Sequence, residues 1–151
     1  MPELYIYLKW LHIVAACIAF GSNVTHFFWL VAANRDAEYR ARILSLVKRI
    51  DDRLAVPAYA VTIACGATMW LWKWPIGSSW IGLSLILSVL LTAMGVSYGP
   101  LMNRWIYLSE AHSWSGYSLN VLANVLTCWW ASMLFGVLVI LFLMVSKPVL
   151  W

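Results

Sequence analysis

The stretch LYIYLKWLHIVAACIAFGSNVTHFFWLVAAN, residues 4–34, decides how the rest of the chain is read. It is apolar over more than the roughly 20 residues that a helix needs to cross a bilayer, so it reads as a membrane span. Yet it holds two of the three histidines, His12 and His26. Ionisable side chains are rare inside spans, and where they occur they mark a function or a specific partner. The two are fourteen residues apart, which at roughly 100° per residue returns them to one helical face about 21 Å apart along the axis. Both therefore point at one neighbour. Ala15, Ala16, Ala19, Ser22 and Asn23 lie on or near the same stripe, a small and polar face suited to helix packing in lipid.

Composition sets the class. Hydrophobic residues make up 64% of the 151 and charged residues 11%, less than half the share in an ordinary soluble domain. With eleven tryptophans besides, the chain reads as one domain, residues 1–151, embedded in a lipid bilayer. A net charge of +4 would suggest nucleic acid in a soluble protein; here the basic residues orient the spans, and no nucleic-acid partner is expected. Cys17, Cys65 and Cys128 are widely separated and form no CxxC or CxxCH pattern, so neither a disulfide framework nor covalent haem attachment is indicated. The first apolar run is too long for a signal core and has no Ala-x-Ala exit, so it is expected to be retained.

Apolar runs over about residues 4–33, 54–74, 80–102 and 119–146 predict four spans. Residues 35–53 hold six of the ten basic residues together with Asp36, Glu38, Asp51 and Asp52. The stretch reads as a loop or surface helix; Ile43, Leu46, Val47 and Ile50 recur there at helical spacing, which predicts that part of it lies along the membrane interface with its charges in water. Pro57 opens span two. Pro75-Ile76-Gly77-Ser78-Ser79 predicts a turn short enough to require an antiparallel hairpin. No span reads as broken by an internal proline or carries a central carboxylate or arginine, and the halves show no repeat, which argues against proton-coupled transport. Placing residues 35–53 in the cytoplasm puts seven basic residues inside, counting Arg104, against Lys9, Lys73 and Lys147 outside. The expected fold is all-α: an integral membrane four-helix bundle of up-down topology in a bacterial inner membrane, with both termini on the periplasmic side. Lys73 among Trp70, Trp72 and Trp74, and Lys147 near Trp151, read as interface anchors.

In the third span, Ser84, Ser88, Thr92, Gly95 and Gly99 follow one another at spacings of three or four, and Gly95 to Gly99 is a literal GxxxG. This stripe predicts close helix packing, within the chain, in a homodimer or against a larger membrane complex. A histidine inside a bundle is where b-type cytochromes hold haem iron, so haem b is the cofactor expected, with His12 as iron ligand. No second histidine lies at that depth; Met69 or Met94 opposite, a five-coordinate iron, or a site shared across a dimer would complete it. His26 and His112 are further candidate cofactor ligands: His26 lies near the inner end, where His112 could approach it. The competing reading is a histidine hydrogen-bonded to a neighbouring helix through Asn23, Asn120, Asn124 or a serine. Copper is an alternative on the strength of three cysteines and six methionines, although no MxxM or CxxC is formed. Trp129-Trp130 could flank a porphyrin, but interface belts account for most of the tryptophans. No nucleophile-base pair, phosphate loop, paired carboxylates or zinc motif is present, which sets hydrolytic and phosphoryl chemistry aside.

Leu8-Lys9-Trp10-Leu11-His12-Ile13, Gly21, Lys48-Arg49-Ile50-Asp51-Asp52-Arg53 and the proline opening span two resemble a group of small bacterial membrane proteins. The group comprises a predicted integral membrane family of unknown function, the copper-resistance D-like membrane domains and the small membrane protoporphyrinogen oxidase of haem biosynthesis. The resemblance implies four spans over most of the chain and, from the oxidase, a haem ligand that maps onto His12. That oxidase also carries a lysine in its third span, whereas no charged residue lies between Trp80 and Arg104 here. The resemblance therefore implies a fold more than an oxidase activity. Two functions stand: a membrane-embedded b-type haem protein handling electrons or porphyrin, or a non-catalytic accessory subunit of a larger, respiratory-type membrane complex.

Overall fold

The computed structural model of the chain describes residues 2–36, 38–74, 78–110 and 116–149. Among these the order is α1 (Pro2–Arg35), α2 (Arg40–Ile50), a π-helical turn (Asp51–Ala55), α3 (Val56–Lys73), α4 (Ser79–Glu110) and α5 (Gly116–Ser146). Four helical runs are long and apolar enough to cross a membrane: Glu3–Arg35, Arg40–Lys73, Ser79–Glu110 and Val121–Ser146. The Lys73 ammonium lies 4.4 Å from the centre of the Tyr5 ring, and that of Lys147 lies 5.1 Å from Trp74. The Ser79 hydroxyl donates to the Pro148 carbonyl at 3.3 Å. These contacts gather the start of α1, the end of α3, the start of α4 and the end of α5 at one end of the bundle, as alternating helices require. The lysine and tryptophan anchors expected there form cation–π pairs.

Residues 35–53 do not form a separate helix lying along an interface. Asp51 and Ala55, at the two ends of the π turn, both keep right-handed helical angles, so Arg40–Lys73 is one continuous rod. Its apolar stripe is spent on the bundle: Leu44 and Val47 are buried in the same cluster as Leu30, Met102 and Trp105. Burial against α1 and α4 removes that surface from water more completely than an interface would. The link into the rod is local chemistry. The Asp36 carboxylate accepts hydrogen bonds from the Glu38 and Tyr39 amides at 3.1 and 3.3 Å, an Asx turn. Arg40 Nε donates to the Ala33 carbonyl at 3.0 Å, covering an acceptor left over at the end of α1.

The third span also differs from its expected limit. α4 runs through Pro100 to Glu110, so an internal proline is present after all. The Val96 carbonyl loses its helical donor there, and the burial of Met102, Trp105 and Leu108 offsets the loss. The expected turn at residues 75–77 lies outside the described residues.

α1 packs along α3 and against α5, α4 packs along α5, and α2 reaches α4, whereas α3 and α4 hardly touch. The tight core is thus at the end that carries α2. At the other end, the space between α3 and α4 is open. Ser88, Thr92, Gly95 and Gly99 line that space. An added Cβ on Gly99 would meet nothing within 4 Å, and one on Gly95 only Met133 Cε at 3.6 Å. The stripe hydroxyls bond back along their own helix, Ser88 to the Ser84 carbonyl at 2.8 Å and Thr92 to Ser88 at 2.7 Å, so they need no partner across a helix contact. A closer approach of α4 and α5 is at Gly136, where an added Cβ would lie 2.8 Å from Leu91 Cδ2. Gly136→Val should therefore overpack this contact by about 1–3 kcal/mol and lower the thermal unfolding midpoint in detergent. Gly99→Ala should leave the midpoint in place; equal effects would put the tight contact elsewhere.

Candidate functional site

Both histidines of α1 meet the Arg40–Lys73 rod, as their shared face implies. His12 Nδ1 lies 2.8 Å from the Thr62 carbonyl oxygen, and His26 Nδ1 lies 2.9 Å from Asp51 Oδ2. The two surroundings differ.

His26 is 2% exposed. Its contact with Asp51 is an ion-pair distance off the line of an aligned ring hydrogen bond. Nε2 hydrogen-bonds the Tyr98 hydroxyl of α4 at 3.2 Å. Trp130 of α5 stacks on the ring, with centroids 3.7 Å apart and planes 18° from parallel. The Tyr98 hydroxyl donates onward to Met102 Sδ at 3.7 Å, and Trp130 Nε1 donates to the Asn23 carbonyl at 3.1 Å. The π turn begins at Asp51, and such widened turns recur at functional sites. While these contacts hold, neither nitrogen of His26 is open to iron. His112, its expected companion, lies outside the described residues.

His12 is arranged the other way. A carbonyl can only accept, so Nδ1 carries the proton, and the neutral ring keeps a lone pair on Nε2. No described residue hydrogen-bonds that Nε2. Gly66 makes room for the ring: an added Cβ there would lie 3.0 Å from His12 Cε1. His12 lines a cavity of about 420 Å³, within the range of small-molecule sites. Small residues build much of its wall, among them Ala16, Ala19, Gly66, Ala67 and Gly95. It opens sideways where Val56 of α3 and Val96 of α4, 58% and 73% exposed, border it. Three buried donors on its wall, Asn23 Nδ2, the Tyr59 hydroxyl and Trp70 Nε1, have no hydrogen-bond partner among the described residues.

Met69 and Met94, the expected opposite ligands, do not line the cavity; Met133 and Met144 of α5 do. Trp129 and Trp130 are not an interface belt. Trp129 Nε1 donates to the Met94 carbonyl at 3.3 Å, and Trp130 is buried on His26. The histidines bond to Thr62 and Tyr98 rather than to Asn23, Asn124 or a serine; the Asn120 side chain lies outside the described residues. Cys17 and Cys128 are exposed and Cys65 is buried. Among the described residues no three His, Cys, Asp or Glu side chains group to hold a metal ion. Sequence reasoning missed Asp51 by reading it as a solvated charge. Its signal was there: it follows Leu44 and Val47 on one helical stripe.

Four apolar helices around a histidine-lined cavity define an integral membrane protein. The chain belongs to the family described as predicted integral membrane protein (DUF2269), which matches residues 6–148. No curated protein and no solved structure matches it. Kinship with the copper-resistance D-like domains or the protoporphyrinogen oxidase finds no support in these comparisons.

Removing one member of the His26 cluster isolates the others. His26→Leu leaves Asp51 and the Tyr98 hydroxyl without the ring and should destabilise the bundle by about 1–3 kcal/mol, read as a fall in thermal midpoint in detergent. The double variant with Asp51→Leu should recover part of the loss; strictly additive losses would show that the pair is not coupled.

Proposed function

We propose that the protein is a membrane-embedded b-type haem protein with His12 as its iron ligand. The supporting observation is the tautomer: Nδ1 is committed to Thr62, while the Nε2 of a cavity-lining ring stays uncommitted. A backbone carbonyl that accepts from Nδ1 in this way fixes the tautomer and ring orientation of a histidine ligand. The remaining requirements of haem find partners in this chain. Ala16, Ala67 and Gly95 leave a slot between helices, and the thioethers of Met133 and Met144 lie on the α5 wall as soft donors. Toward the start of α1, Trp70 Nε1 on the cavity wall is a buried donor with no partner among the described residues, which suits a haem carboxylate. Bound there, haem b would supply one-electron chemistry within the membrane. The chain itself orients the ligand, holds the ring and keeps water away with apolar walls.

The bias of basic residues toward residues 35–53 supports an orientation with both termini on the periplasmic side of a bacterial inner membrane. A second reading, an accessory subunit of a larger complex, is favoured by the open space beside Gly99, into which a partner helix could settle.

Protein purified gently from its native membrane should show a b-type reduced-minus-oxidised spectrum at about one haem per chain. His12→Ala should abolish it with helicity unchanged, and Gly66→Val, which crowds the ring, should lower occupancy. Haem retained in His12→Ala would overturn the ligand assignment. A featureless spectrum from cells with ample haem would overturn the haem reading and favour the docking role.

A further inference from the structure

The cavity has a second polar locus, remote from the group that would face iron. Asn23, itself 2% exposed, and Tyr59 contribute buried donors, Nδ2 and the hydroxyl, that no described residue satisfies. Asn23 lies one helical turn before His26, and Tyr59 about one turn before Thr62. Both therefore lie between the levels of the two histidines. Empty buried donors are unfavourable and uncommon in native structures. Leucine and phenylalanine would fill the same space without that penalty, so the donors point to a ligand that brings acceptors.

The charge pattern narrows its chemistry. Among the described lining residues Lys48 is the only cation, and Asp52 holds its ammonium at 2.7 Å. Asp51 is held by His26. A carboxylate or phosphate would find no free positive charge here and two carboxylates nearby. A neutral carbonyl oxygen meets neither obstacle. Tyr98 and Trp130 also border the cavity at this level, and aromatic neighbours suit a flat ring. The lateral opening between Val56 and Val96 suits an apolar tail that stays in lipid. We propose that this end of the cavity is a head-group site for an isoprenoid quinone, with Asn23 Nδ2 and the Tyr59 hydroxyl donating to its ring carbonyls. The site uses none of the groups assigned to haem and does not rest on that assignment.

The test uses the full chain in phosphatidylcholine nanodiscs, titrated with decyl-ubiquinone and, separately, with a short-tailed menaquinone. Quenching of tryptophan fluorescence should saturate. Asn23→Leu and Tyr59→Phe should each weaken binding roughly three- to tenfold, the worth of one hydrogen bond. Because each variant removes an unsatisfied donor, neither should lower the thermal midpoint of the ligand-free protein; a drop would show a structural role and overturn the proposal. His12→Ala should bind within about twofold of the parent, which separates this result from any failure of haem binding. Quenching that never saturates, variants that bind like the parent, or diacylglycerol competing as well as quinone would each overturn the assignment.

Discussion

Inside a bilayer, apolar side chains gain little by leaving lipid for one another, so the order of spans must be set by shape and by polar contacts. In this chain the contact that sets it is the buried ring of His26, with Asp51 on one nitrogen, Tyr98 on the other and Trp130 on its face. The four groups come from α1, the π turn, α4 and α5. Such a cluster is costly to desolvate and costlier to leave incomplete, so helix arrangements that separate its members are disfavoured. Here its effect is read as specificity of assembly: it ties α5 and α4 to α1 at one end of the bundle.

The open end follows from the tight one. With α1 tied to the Arg40–Lys73 rod and α4 tied to α5, the two pairs meet closely around Leu30, Met102, Trp105 and Leu126. Farther along, α3 and α4 hardly touch. Small residues on three helices keep that space empty, where larger ones would have filled it. The cavity therefore stands on rigid helices rather than loops, which is the condition for holding a ligand group within a fraction of an ångström. His12 gains its orientation the same way, from a carbonyl of a regular helix and from the absence of a side chain at Gly66.

The elements legible in advance were those that depend on one segment at a time. Four spans, the alternation of their direction and the lysine and tryptophan anchors at the shared end all follow from local hydropathy and short links. His12 and His26 on one face follow from helical periodicity alone. The rest depends on contacts between segments. Composition alone leaves Asp51 in water with the other charges of residues 35–53; the π turn and the continuation of α2 into α3 bring it inward instead. The GxxxG of α4 permits close approach, but within this chain the stripe lines an open space, and the closer approach of α4 and α5 is at Gly136. Local hydropathy ends the third span close to Pro100, yet burial of Met102 and Trp105 carries the helix past it.

By itself, the sequence determined that this is a four-span helical membrane protein and that two imidazoles share a helix face. The period of a helix and the transfer of apolar side chains into lipid decide both, one segment at a time. Only the tertiary structure decided what each imidazole does. Which partner reaches His26, which nitrogen of His12 stays open, and whether a small-residue stripe touches a helix or a void depend on distances between segments far apart in the chain. Those distances are set by the joint packing of all the helices.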